Sequence, residues 1–152
     1  MKGDELMDVL VALSEYILIA AIISLVLWVL QVIALWKIFT KAGQSGWKSI
    51  IPVYNVFIMF KISWSTMWFW ISLIAFVLAS ALLSFATVTI CVVLGGLLML
   101  FYTIVMLIML FKFVRSFNWG VGMFILTIIV PVIMLFVLAF GKAEYIGPDP
   151  IS

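Results

Sequence analysis

The chain has no histidine and one cysteine, Cys91, among its 152 residues, and only 9% of them are charged. A single cysteine excludes an intramolecular disulfide. The apolar runs also contain no pair of carboxylates and no group of metal-ligating residues, which argues against metal-dependent or acid–base catalysis within a membrane. These absences predict no cofactor, no metal site and no catalytic constellation.

Acidic residues are missing from the whole interior of the chain. The six that it has lie near its two ends: Asp4, Glu5, Asp8, Glu15, Glu144 and Asp149. Hydrophobic residues make up 68% of the sequence, whereas a soluble domain carries charge on roughly a quarter of its residues. A formal net charge of +2 is too small to indicate a nucleic-acid partner. The composition predicts a single-domain, all-α integral membrane protein.

Long apolar runs predict four transmembrane helices, at about residues 16–36, 67–84, 90–111 and 120–140. Residues 62–111 carry no formal charge, and as one helix they would extend about 75 Å, more than twice the hydrocarbon thickness. This stretch is therefore expected to cross twice, with a turn near residues 85–89.

The internal basic residues predict the orientation. They are Lys37, Lys41, Lys48, Lys61, Lys112 and Arg115. Loops rich in Lys and Arg stay on the cytoplasmic side, so four crossings place both termini outside the cell membrane. The tail, residues 144–152, is expected to be a short extended segment on that outer side.

Two features of the spans concern packing. Pro131 lies in the middle of the fourth predicted span, where it predicts a kink or, alternatively, a gating hinge. Thr127, one turn earlier, could satisfy the carbonyl that loses its hydrogen bond at the proline. Small residues recur along the second span at Ser72, Ala75 and Ala79, which favours close helix packing and leaves self-association open.

The segment at about residues 41–62 is more patterned than a plain connection. Gly43 and Gly46 permit a tight turn, and Pro52 suits the first turn of a helix from near Ile51 toward Lys61. The apolar part is too short to cross a bilayer. It is therefore predicted to be an interfacial or re-entrant element.

Two interpretations of this element stay open. It can anchor the chain to anionic lipid headgroups on the cytoplasmic side, through its aromatic residues and lysines. Alternatively, it can present a docking surface to a protein partner or ligand. The candidate docking residues are Lys41, Gly43, Gly46, Trp47, Lys48, Pro52, Tyr54 and Asn55.

The residues KAGQSGW and KSIIPVYN carry a resemblance to a known family. They resemble the pattern KAGxxGWxxxIPxYN of a family of small multi-span prokaryotic membrane proteins of uncharacterised function. The matching positions are Lys41, Ala42, Gly43, Gly46, Trp47, Ile51, Pro52, Tyr54 and Asn55. Some members are labelled as related to signal peptidase. The resemblance implies a fold and a membrane location, with no reaction attached.

Signal-peptidase chemistry does not suit these residues, because it needs a neutral lysine beside a serine on the outer face. All the interior lysines are expected on the cytoplasmic side. The sequence thus favours a non-catalytic membrane protein that acts as a partner or lipid-docking subunit through residues 37–61. The alternative is a homo-oligomeric channel or small-solute permease, lined by hydroxyl and backbone groups.

Overall fold

A computed structural model describes residues 3–85 and 87–148, and this part of the chain contains helices and no strands. The helices are α1 (Gly3–Lys41), α2 (Pro52–Ser63), α3 (Thr66–Ser84), α4 (Thr89–Arg115), α5 (Val121–Ile129) and α6 (Pro131–Phe140), and a short 3₁₀ turn spans Gly46–Ser49. Three of the described helices, α1, α3 and α4, are long and apolar enough to cross a membrane. The chain is therefore an all-helical membrane protein.

Helices α3 and α4 form an antiparallel hairpin because small residues let their backbones approach. Ser72, Ala75 and Ala79 are buried on α3. On α4, a Cβ added to Gly95 would lie 2.9 Å from Leu83 Cγ and 3.3 Å from the carbonyl oxygen of Ala79. Contact at this distance requires glycine, as expected where lipid gives helices no hydrophobic reason to associate.

The C-terminal tail brings three helix ends together. The Lys41 ammonium at the end of α1 donates a 3.2 Å hydrogen bond to the Ala143 carbonyl. The Tyr145 hydroxyl donates to the Ile62 carbonyl near the end of α2, over 2.7 Å, and the Ile146 N–H donates to the Ser116 carbonyl just beyond α4, over 2.8 Å. We call this side of the bundle, where α1, α2 and α4 end, the basic end.

The fourth predicted span, 120–140, is not one crossing helix. Its residues form α5 and α6, of 9 and 10 residues, and the backbone breaks between them at Val130, whose φ and ψ are −130° and 63°. A straight 20-residue helix would separate its ends by about 30 Å. Instead, Trp119 before α5 and Gly141 after α6 line the same cavity. The two helices therefore leave the basic end and return to it.

This geometry corrects the expected placement of the C-terminus. The tail was predicted on the face opposite the internal lysines, but it contacts Lys41 directly, so the two lie at the same end. An even number of spanning helices would be needed to bring both termini to one face, and the described residues contain three such helices. Asp149 and Lys2 lie outside the described residues.

Pro131 explains the break because it begins α6 at the first helical position, where its missing N–H costs nothing. The Thr127 hydroxyl donates to the Met123 carbonyl, at 2.8 Å. It therefore bonds to the preceding turn and does not cover the carbonyl that Pro131 frees.

Candidate functional site

The segment after α1 begins with a glycine that ends the helix. Gly43 has φ +69°, in the left-handed region that favours glycine. Its N–H donates to the Thr40 carbonyl at 3.1 Å, and the Gln44 N–H donates to the Phe39 carbonyl at 2.8 Å. This pair of bonds is a Schellman motif, which satisfies the last carbonyls of α1 and reverses the chain.

The reversed chain then runs back along α1. Gly46 lies against the indole of Trp36, so closely that an added Cβ would lie 2.3 Å from two atoms of that ring. The Ser49 hydroxyl, fully buried, contacts the Val32 carbonyl at 3.2 Å. Val32 lies nine residues before Lys41 in the sequence, which corresponds to about 14 Å along a helix. The segment thus rises from the basic end toward the middle of α1.

Helix α2 returns the chain to the basic end. It starts with Pro52 at its first turn and ends at Ser63. Pro52 lines a cavity together with Phe76 and Tyr102, which lie well inside α3 and α4. The Asn55 amide donates to the Ser49 carbonyl at 3.4 Å and ties the start of α2 to the 3₁₀ turn. Residues 42–63 thus enter and leave at one end, which favours the re-entrant arrangement over one lying flat on the surface.

Two of the candidate docking lysines, Lys41 and Lys48, are held within the fold. The Lys41 ammonium donates to the carbonyls of Leu138, Gly141 and Ala143, at 2.8, 2.8 and 3.2 Å. The Lys48 ammonium donates to Gln44 Oε1 at 3.0 Å. Lys41 therefore fastens α6 and the tail to α1. All three of its N–H groups are used there, so it is a poor candidate for docking.

Aromatic rings extend from the 3₁₀ turn along α2. Trp47 stacks on Tyr54, with ring centroids 6.1 Å apart, and Tyr54 stacks on Phe57 at 5.6 Å. Phe57 in turn meets Phe69 of α3 edge-on at 5.2 Å. Trp47 is half exposed. The ring stack thus lies at the surface of the bundle between α2 and α3.

An apolar groove lies beside this stack. One part, of about 270 Å³, is lined by Ile51, Val53, Tyr54, Phe57, Phe69, Trp70 and Leu73. A second part, of about 240 Å³, shares Val53, Phe69 and Leu73 with the first and continues to Phe76 and Tyr102. Both cavities are open to the surroundings of the protein, and we call the two together the groove.

The chain is similar to one described family. A family model described as "Family of unknown function (DUF5684)" matches residues 47–148, which is more than half of the chain. The chain belongs to this family. No curated protein and no solved structure gives a match. The matched region covers α2 through α6, the groove and the tail as far as residue 148, but Lys41, Gly43 and Gly46 precede it.

The candidate residues of this segment were predictable from the sequence, whereas the residues that they contact were not. Gly46, Trp47, Pro52, Tyr54 and Asn55 all contribute to one structural unit. Phe57, Trp70 and Leu73 of the groove were not candidates, because their apolar side chains do not differ from those of any lipid-facing helix. The helical spacing from Tyr54 to Phe57 to Lys61 along α2 was the one signal that could have extended the site toward the basic end.

Proposed function

We propose that this protein is a non-catalytic membrane protein that binds an anionic phospholipid through residues 37–61. The acyl chain occupies the apolar groove between α2 and α3, and the headgroup meets cationic side chains at the basic end. One observation carries this proposal. Lys61 follows Phe57 by four residues on α2, so both lie on the same helix face, the aromatic ring at the groove and the exposed ammonium toward the basic end.

Charge at the basic end supports an anionic partner. The cationic residues there are Lys37, Lys41, Lys61, Lys112, Arg115 and Lys142, while Glu144 is the acid among the described residues of the tail. Lys37 and Lys112 each lie over an aromatic ring, at 5.5 and 5.4 Å from its centroid. Lysines near a membrane surface contribute about 1 kcal/mol each to binding anionic lipid.

The basic end faces the cytoplasm in this proposal, because Lys- and Arg-rich ends remain on that side of the cell membrane. The N-terminus then lies outside, and the C-terminal tail lies on the cytoplasmic side with the lysines that it contacts. A lipid bound in the groove would belong to the cytoplasmic leaflet.

Native mass spectrometry of the protein in mild detergent tests this proposal, with phosphatidylglycerol and phosphatidylcholine added in equal amounts. We expect the wild type to retain phosphatidylglycerol preferentially. Lys61→Gln should weaken that retention about fivefold, the ratio that corresponds to the loss of about 1 kcal/mol. Lys112→Gln is the matched control, since it removes the same charge at the same end but lies on α4, outside residues 37–61. Equal effects of the two variants would refute a site on α2.

Phe57→Ala tests the groove without changing charge. It should shorten the lifetime of bound lipid but leave the preference for the anionic headgroup intact. The homo-oligomeric channel or small-solute permease stays the alternative function. Solute flux through liposomes that contain the protein, above that of empty liposomes, would favour it.

A further inference from the structure

A second recess lies at the basic end, beside the turn after α4 and the C-terminal tail. Its larger part, of about 450 Å³, lies between the turn after α4 and the tail, and its smaller part, of about 210 Å³, continues toward the start of α5. Both parts are lined by Asn118, Trp119 and Ile146. The recess uses none of the residues of the proposed groove.

The walls of this recess are fixed by hydrogen bonds. The Ile146 N–H donates to the Ser116 carbonyl, and the Tyr145 hydroxyl donates to the Ile62 carbonyl. Asn118 takes the left-handed conformation, with φ 59°, and its N–H donates to the Arg115 carbonyl at 2.9 Å. The turn and the tail are thus held in place, and a ligand would not need to order them.

The charges around the recess are of both signs. Arg115 lines the smaller part, whereas Lys142 and Glu144 line the larger part. Two cations and one carboxylate suit a ligand that carries both a phosphate and an amine. Trp119 adds an indole ring, whose face attracts an ammonium group.

We propose that this recess binds a phosphate group linked to a primary amine, the chemistry of a phosphatidylethanolamine headgroup. Arg115 and Lys142 receive the phosphate, and Glu144 accepts hydrogen bonds from the ammonium. The recess adjoins the end of α4, the depth at which phospholipid headgroups meet a membrane-spanning helix. A quaternary ammonium, as in phosphatidylcholine, cannot donate those hydrogen bonds.

The test compares lipids that differ in the amine alone. Native mass spectrometry with an equal mixture of phosphatidylethanolamine and phosphatidylcholine should show preferential retention of phosphatidylethanolamine by the wild type. Glu144→Gln should lower the ratio of the two bound lipids about two- to fivefold, as expected for an exposed ion pair. Lys142→Gln should reduce retention of both lipids without changing their ratio.

Glu15→Gln, which removes an exposed carboxylate from α1 far from the recess, is the matched control and should leave the ratio unchanged. A wild-type protein without preference between the two lipids, or a Glu144→Gln protein with the wild-type ratio, would overturn the proposal. Free phosphoethanolamine, added at millimolar concentration, distinguishes the source of the ligand. Displacement of the lipid by it would assign the recess to the soluble compound, and no displacement would assign it to the membrane lipid.

Discussion

Replacement of Lys41 by methionine tests whether this residue holds α6 and the C-terminal tail in place. Its ammonium joins α1 to three carbonyls, those of Leu138 and Gly141 at the end of α6 and that of Ala143 in the tail. A methionine side chain keeps most of the apolar stem but cannot donate a hydrogen bond. The variant therefore removes the three bonds with little loss of packing.

The expected loss of stability follows from the surroundings of these carbonyls. The contacts to Leu138 and Ala143 are partly buried, whereas the contact to Gly141 is exposed, so water can replace it. Hydrogen bonds to a charged group contribute roughly 1.5–3 kcal/mol each, and a cation at a helix C-terminus contributes up to about 1 kcal/mol. Partial hydration of the freed carbonyls reduces the sum. We expect Lys41→Met to lower the free energy of unfolding by about 2–3 kcal/mol.

Unfolding of the protein from mild detergent into sodium dodecyl sulfate measures this loss, and amide hydrogen exchange locates it. The Ile146 amide, which bonds to Ser116 in the wild type, should exchange faster in the variant. Lys37→Met is the control, since the Lys37 ammonium lies 5.5 Å from the Phe140 ring centroid, a contact worth about 0.5–1 kcal/mol at an exposed site. If Lys41→Met costs no more than Lys37→Met and Ile146 stays protected, the reasoning is wrong.

Three further predictions concern packing, topology and pH. Gly46→Ala should cost about 1–3 kcal/mol in the same unfolding assay, because its Cβ would overlap the indole ring beneath it. Gly96→Ala, which meets nothing within 4 Å, should be neutral or slightly stabilising. In a cysteine-free background, Glu144→Cys should react with a membrane-impermeant maleimide only when the reagent is added on the side of the basic end. Thr87→Cys, at the exposed α3–α4 turn, should react only when the reagent is added on the opposite side. Labelling of both from one side would refute the described arrangement. Burial raises the pKa of the Tyr145 hydroxyl above its usual value of 10.0, so the folded state favours the neutral phenol. The stability that this preference contributes is fully present below pH 10 and is lost as the pH rises through the raised pKa. Tyr145→Phe should abolish the part of the stability loss at alkaline pH that comes from this hydroxyl. It should also lower the free energy of unfolding at neutral pH by about 1 kcal/mol. An unchanged dependence of stability on pH would contradict this prediction.

The motif residues of the chain have mainly architectural uses. Gly43 reverses the backbone after α1, Gly46 permits close contact with Trp36, and Asn55 ties α2 to the turn before it. Lys41 reaches across to α6. These contacts determine how residues 41–63 fold back along α1.

Much of the local structure followed from the sequence. The long apolar runs predicted the helices that became α1, α3 and α4, and Pro52 indicated the start of α2. These features depend on neighbouring residues, through hydrophobic length and the missing N–H of proline. The groove could not be derived in the same way, because its walls come from residues of α2, α3 and α4 that are distant along the chain.

The course of residues 120–140 marks the limit of sequence reasoning. Their hydropathy and length fit a fourth crossing, and Pro131 by itself is compatible with either a kinked helix or a break. In the folded chain the break accompanies a contact from Lys41, about a hundred residues earlier, whose ammonium bonds to carbonyls at the end of α6. The sequence by itself therefore determined that the protein is helical, membrane-embedded and basic on one side. These properties follow from the preference of each residue for lipid or water, which does not depend on its tertiary contacts. Only the tertiary structure decided which segments turn back, because that depends on hydrogen bonds between residues that the chain order does not bring together.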